Sequence, residues 1–185
     1  EAKQYKSQGY LVGAERNTQK CDFADFGNSP FDYTQEKVKG KEIVFTTTNG
    51  TYAIEQSHGC KTLLIGAFSN IDALAKTCIK IGGRIVVICA GWNNRINIED
   101  TLFGGAFAEK LSNENPIKLD SDAVKIALEL WQSAKQDALS YIKDAEHYQR
   151  LIDNRAEGDA SFCLQHNTVN LVPYYDKIDK KLKIY

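Results

Sequence analysis

Between Glu42 and Ala90 the chain switches repeatedly from short apolar runs to segments with helical spacing. This alternation restricts the fold more than any other feature. Glu42-Ile43-Val44-Phe45-Thr46-Thr47 reads as a short buried strand, closed by the turn signal Thr48-Asn49-Gly50. A short helix is expected over residues 52–56, then a second strand in Thr62-Leu63-Leu64-Ile65-Gly66-Ala67. Ser69-Asn70-Ile71-Asp72 has the Ser-x-x-acid spacing of a helix N-cap, and Ile71, Leu74, Ala75, Cys78 and Ile79 follow at helical intervals. Gly82-Gly83 stops that helix, and residues 84–90 form a third expected strand. Strand–helix–strand–helix–strand with short connections predicts an α/β domain with a parallel sheet, whose strand C-termini share one edge. Ligands of open α/β sheets bind at that edge. The segments to search for chemistry are therefore 46–51, 68–70 and 89–95.

The rest of the chain supplies helices and one more strand. Tyr10-Leu11-Val12-Gly13-Ala14 reads as a strand ending in Glu15-Arg16. A helix is expected over 97–111, interrupted by Gly104-Gly105, which permit close packing. Residues 121–154 are strongly helical, as one helix or two, with Ile126, Leu130, Ala134, Ala138, Ile142 and Ala145 in one apolar stripe.

A chain of 185 residues is long enough for one well-packed domain and short for two. The net charge of −1 provides no footprint for nucleic acid or an anionic membrane. The lysines at 177, 180, 181 and 183 read as a solvated edge. The longest apolar run, residues 85–90, is far too short to span a bilayer, and the polar N-terminus has no signal-peptide pattern. The five cysteines include no Cys-x-x-Cys pair and suit a reducing compartment, so a cytoplasmic location is expected. His58, His147 and His166 are too far apart to form a zinc-spaced pair.

Two phosphatase-like patterns fail on context. Cys78-Ile79-Lys80-Ile81-Gly82-Gly83-Arg84 matches Cys-x5-Arg, but Cys78 lies on the apolar face of a helix that precedes a strand, the reverse of the order that chemistry needs. A Cys buried in apolar surroundings is inert. Asp120-Ser121-Asp122 follows no hydrophobic strand, and capping of the next helix by Ser121 or Asp120 is the better reading.

Four short signals remain. Thr46-Thr47-Thr48-Asn49-Gly50-Thr51 puts hydroxyls at a strand end with a helix N-terminus behind them, which suits an anion; the same run also makes a plain turn. Glu15-Arg16 pairs a carboxylate able to hold Mg²⁺ with a guanidinium able to clamp phosphate, or is a surface ion pair. Asn28-Ser29-Pro30 is a polar loop that can donate to an anion or simply turn. After Cys89-Ala90-Gly91, Glu99-Asp100 open a helix, where acids are favoured by the dipole and can also ligate a metal or activate water.

Taken together, the order and spacing of Gly13-Ala14-Glu15-Arg16, Asp25-Phe26-Gly27-Asn28-Ser29-Pro30, Thr46-Thr47-Thr48-Asn49-Gly50-Thr51, Ala90-Gly91 and Glu99-Asp100 resemble the 2-phosphosulfolactate phosphatase family. Ala145-Glu146-His147-Tyr148-Gln149-Arg150, Phe162-Cys163 and Val172-Pro173 agree as well. The resemblance implies a three-layer α/β/α fold with a largely parallel sheet. It also implies Mg²⁺-dependent hydrolysis of a small phosphorylated acid, named for the family as 2-phosphosulfolactate, whose product sulfolactate leads to coenzyme M. The family's second Gly is Ala14 here, and Tyr52 stands where the family has Arg. The family's N-terminal strand, with its Asp and Arg-Ala-Thr run, has no counterpart before Gly9.

On this reading Glu15, Arg16 and Asp100 are the expected catalytic residues. Asn28, Ser29, Thr47, Thr48, Asn49, Gly50 and Thr51 would bind substrate, and Glu15, Glu99 and Asp100 would hold Mg²⁺. The partner is a small phosphorylated acid; a homo-oligomer stays open. The alternatives are a phosphatase for another phospho-hydroxy acid and a non-catalytic module that binds a phosphorylated metabolite.

Overall fold

β-Branched and apolar residues at 11–14 and 43–46 have the composition of half-buried strands, and they meet as a parallel pair. The computed structural model describes residues 1–16 and 19–185. Helix α1 (Ala2–Ser7) leads into β1 (Leu11–Arg16), followed by β2 (Gln19–Lys20), a short helix α2 (Gln35–Val38) and β3 (Ile43–Thr46). Leu11 pairs with Ile43 and Ala14 with Thr46 in parallel register. β2 lies antiparallel on the other edge of β1, with Glu15 opposite Lys20. Val12, Ala14 and Ala24 form a small core under this sheet.

The main core is helical. α3 (Asn49–Gln56) follows β3 directly. Then come α4 (Ile71–Ile81), α5 (Ile98–Glu114), α6 (Asp122–Ala134), α7 (Ala138–Tyr141), α8 (Glu146–Asp153) and α9 (Glu157–Cys163). Phe68, Ile71, Leu74, Leu102, Phe107, Leu111, Trp131 and Ile142 are buried together. α5 runs unbroken through Gly104-Gly105. A Cβ on Gly105 would lie 2.0 Å from the Ala127 carbonyl oxygen, so this glycine lets α5 and α6 touch backbone to backbone. Glu109 fastens the same pair of helices, accepting hydrogen bonds from Trp131 Nε1 at 2.7 Å and Lys135 Nζ at 2.8 Å. A hairpin of β4 (Pro173–Asp176) and β5 (Lys181–Ile184) ends the chain. No helix among the described residues is long and apolar enough to cross a membrane.

The fold is mixed α/β, but the sheet differs from expectation. Residues 62–67 do not join β3. Ile65 N–H donates to Pro173 O at 2.8 Å and Tyr175 N–H to Leu63 O at 2.9 Å, which sets this segment antiparallel to the C-terminal hairpin. Residues 84–90 form no ladder among the described residues, and Val86 is 68% exposed. The described residues therefore do not form a largely parallel sheet between two helical layers. An apolar run shows what a segment would bury, not which backbone supplies its hydrogen bonds.

Other expectations shift in detail. Ser69 does not cap α4. Asn167 reaches across the chain to accept the Asp72 N–H, and Asn70 folds back to accept the Ala67 N–H. Residues 121–154 split into three helices. Ile126 is exposed, while Ala127 and Trp131 face the core in its place. Ser121 caps α6 by accepting the Val124 N–H, as expected. Cys78 lies within α4, and burial pushes its thiol pKa up.

Candidate active site

The turn after β3 is built by its own threonines. Thr47 Oγ1 accepts the Gly50 N–H and Thr51 Oγ1 accepts the Thr47 N–H, each at 3.1 Å. Each hydroxyl thereby uses a lone pair and keeps its own O–H free to donate elsewhere. α3 starts at Asn49, so its first N–H groups and the positive end of its dipole sit at the same turn. Arg16 stands beside it, exposed, with Nη2 3.4 Å from Thr46 Oγ1.

A second loop reaches this turn. Trp92 and Arg95 exchange backbone hydrogen bonds of 3.1 and 2.8 Å around Asn93-Asn94, both at positive φ. This is the geometry of a two-residue hairpin turn, where Asn tolerates the left-handed region. Asn93 N–H donates to Asn49 Oδ1 at 3.4 Å, joining the hairpin to the threonine turn. Gly91, at φ 65°, begins the loop and donates its N–H to Asp100 Oδ2 at 2.7 Å. Asn97 caps α5 by accepting the Glu99 N–H at 2.8 Å. Two acids thus open α5 directly beneath the hairpin.

Electrostatics at the acid pair are set by burial and by one histidine. Burial pushes the Asp100 carboxyl above the usual carboxylate range, and the charge of Glu99 adds to this; the Gly91 N–H and His147 oppose it. His147 Nδ1 lies 3.2 Å from Glu99 Oε1, and this hydrogen bond holds the imidazole above its ordinary pKa despite burial. Glu99 Oε2 is shielded from solvent and accepts no hydrogen bond among the described residues. An orphaned carboxylate oxygen next to a second carboxylate is a donor set suited to Mg²⁺, which needs only one or two protein carboxylates and keeps several waters.

One cavity of about 2040 Å³ gathers most of these groups. Arg16, Asn28, residues 46–48, residues 50–52, Glu99 and Asp100 line it. Three expected residues stand apart. Glu15 is not on the cavity wall, for a geometric reason: successive strand residues point to opposite faces, so Arg16 and Glu15 cannot both face it. No group of three or more His, Cys, Asp or Glu among the described residues is placed to share a metal, so Glu15 does not join Glu99 and Asp100. Ser29 Oγ donates to Asp159 Oδ1 at 2.8 Å and accepts the Phe31 N–H, so its proton is already committed. Asn49 bridges to Asn93 instead of lining the cavity. His147, Asn97 and Asp159 line it although no local pattern gave them a role.

The sequence matches the 2-phosphosulpholactate phosphatase family over residues 1–177. Among similar proteins, a probable 2-phosphosulfolactate phosphatase of Clostridium botulinum (strain Eklund 17B / Type B) is 33% identical over 184 residues, covering 100% of this chain and 76% of the relative. One from Caldanaerobacter subterraneus subsp. tengcongensis is 33% identical over 172 residues, covering 93% and 71%. One from Clostridium tetani is 34% identical over 168 residues, covering 91% and 71%.

Proposed function

Because this chain belongs to the 2-phosphosulpholactate phosphatase family, we propose that it is a phosphoric monoester hydrolase acting on 2-phosphosulfolactate, the compound in its relatives' names, to yield sulfolactate and phosphate on a route to coenzyme M. One observation carries the reading: anion donors and an acid pair line one cavity, joined through the Asn49–Asn93 contact. Arg16, the Thr47 and Thr51 hydroxyls and the start of α3 hold phosphate oxygens. Such donors both bind the group and stabilise charge as it transfers. Glu99 and Asp100 are the acids placed to activate the attacking water, and they would hold Mg²⁺. When bound, the cation neutralises developing charge and makes its water more acidic.

The same proposal includes a fuller, largely parallel sheet between two helical layers, in which residues 84–90 would take part and residues 62–67 would pair along the edge that the C-terminal hairpin leaves open. The exposed apolar side chains of Ile85, Val86, Val87 and Ile88 support it. A cytoplasmic setting suits the five free cysteines. Tyr52, exposed on the cavity wall, favours a second reading in which another phospho-hydroxy acid is the substrate, because a neutral phenol supplies no positive charge for a sulfonate.

Phosphate release from 2-phosphosulfolactate and from a panel of phospho-hydroxy acids, with Mg²⁺ and with chelator, tests both. Turnover of 2-phosphosulfolactate ahead of the panel is expected. Binding of these compounds without any turnover would overturn the proposal in favour of a binding module.

A further inference from the structure

Helix α8 carries three contacts to the hairpin and the start of α5. The Arg150 guanidinium lies over the Trp92 ring, 3.2 Å from its centroid. Glu146 faces Arg95 across 3.9 Å and also binds Arg150 at 2.8 Å. Between them, His147 Nδ1 stands 3.2 Å from Glu99 Oε1. Residues i, i+1 and i+4 of one helix thus grip the loop and the acid that follows it.

The oxygens of the acid pair are not equivalent. Asp100 Oδ2 is occupied by the Gly91 N–H. Glu99 Oε1 is occupied by His147, and Glu99 Oε2 is buried with no partner among the described residues. Leaving a buried acceptor unpaired is costly, and a free side chain would rotate to relieve it. Such a rotation would break the His147 contact to Oε1. Nδ1 at 3.2 Å is placed to donate to Oε1, the arrangement of an Nδ1–H tautomer.

We propose that His147 is a positioning residue: its Nδ1–H fixes Glu99 Oε1 and so holds Oε2 as the working oxygen of the Glu99–Asp100 pair, the atom left free to ligate. The consequence for turnover rests on the phosphatase reading above; the His147–Glu99 pairing does not.

Two measurements on the whole chain separate these. Long-range ¹H–¹⁵N spectra should show His147 protonated at Nδ1 in the wild type, with that signature lost in Glu99→Ala. In steady-state kinetics with 2-phosphosulfolactate, His147→Leu should lower kcat roughly 10–100-fold, the usual effect of removing a partner that orients a functional ligand. KM should change little, because Arg16 and the threonine turn hold the phosphate. His147→Gln, which can still donate to Glu99, should recover part of kcat. An Nδ1 signature indifferent to Glu99→Ala, or a kcat indifferent to His147→Leu, overturns the inference. If His147→Leu does not fold, the Glu99→Ala spectrum decides. A wild type with the Nδ1 signature but no turnover of any phosphate ester supports the pairing and overturns the phosphatase reading alone.

Discussion

The Gly91 N–H donates to Asp100 Oδ2 across 2.7 Å and pins the hairpin loop to the first turn of α5. An Asp100→Asn side chain keeps an oxygen to accept that bond but loses the charge. On the proposed function, kcat should fall on the order of 100-fold or more, the scale of losing an acid–base group. Stability should move the other way. Burial raises the folded-state pKa of Asp100, so the folded chain binds its proton more tightly than the unfolded chain does, and stability declines as pH rises through the unfolded value. The neutral amide should therefore melt at or above the wild-type temperature at neutral pH. Unchanged kcat and Mg²⁺ dependence would remove Asp100 from the reaction.

Arg16 is exposed at the end of β1, with Nη2 near Thr46 Oγ1, so its removal should leave the fold intact. A hydrogen bond from a charged donor contributes roughly 1.5–3 kcal/mol. Arg16→Ala should then raise KM by about tenfold or more, and weaken competitive inhibition by inorganic phosphate in parallel. Arg16→Lys keeps the charge without the planar fork and should recover only part of the loss. Phosphate inhibition equal to wild type in both variants would place the anion elsewhere.

What the sequence makes legible is local. The existence of β1 and β3 and the helix ending at Gly82 follow from patterns within a few residues of each element. The pairing of residues 62–67 with Pro173 and Tyr175 does not, because about a hundred residues lie between partners and an apolar run fits any ladder. The stripe through Ile126 fails for a related reason: Ala127 and Trp131 are equally periodic, and Gly105 and Glu109 of α5 choose between them. At the site, the chemistry of Glu15-Arg16 is readable, but strand alternation lets only one of the two face the cavity. His147 lies 48 residues from Glu99, and no spacing rule links them.

At the opposite end of the small sheet, Asp25 accepts hydrogen bonds from Lys6 Nζ at 2.5 Å and from the Val12 N–H at 2.8 Å, tying α1 to β1. The Lys6 hydrogen bond, with the Val12 N–H assisting, holds the Asp25 carboxyl below its ordinary range. A depressed folded-state pKa means the unfolded chain takes up the proton first as pH falls. The stabilisation is complete above the unfolded value, about 3.9, and is lost below it. Asp25→Asn should lower the melting temperature at neutral pH, by a modest amount because both partners are partly exposed. The gap to wild type should close as pH falls below about 4. Melting curves across that range, with a gap that stays constant, would show that the pairing does not titrate with stability.

The adjacent glycines of α5 should respond oppositely to the same substitution. Both lie inside a helix, where Gly is about 1 kcal/mol less favourable than Ala. A Cβ on Gly104 would meet nothing closer than 4.0 Å, so Gly104→Ala should stabilise by up to that amount. A Cβ on Gly105 would meet the Ala127 carbonyl oxygen at 2.0 Å and its carbon at 2.6 Å, which are backbone atoms that move only with α6 itself. Separating the helices would also strain the Glu109 bonds to Trp131 and Lys135. Gly105→Ala should cost about 1–3 kcal/mol, the range for overpacking a core. Denaturant titrations of the two variants test the close α5–α6 approach directly. Equal midpoints would mean that the backbones do not touch where Gly105 faces Ala127.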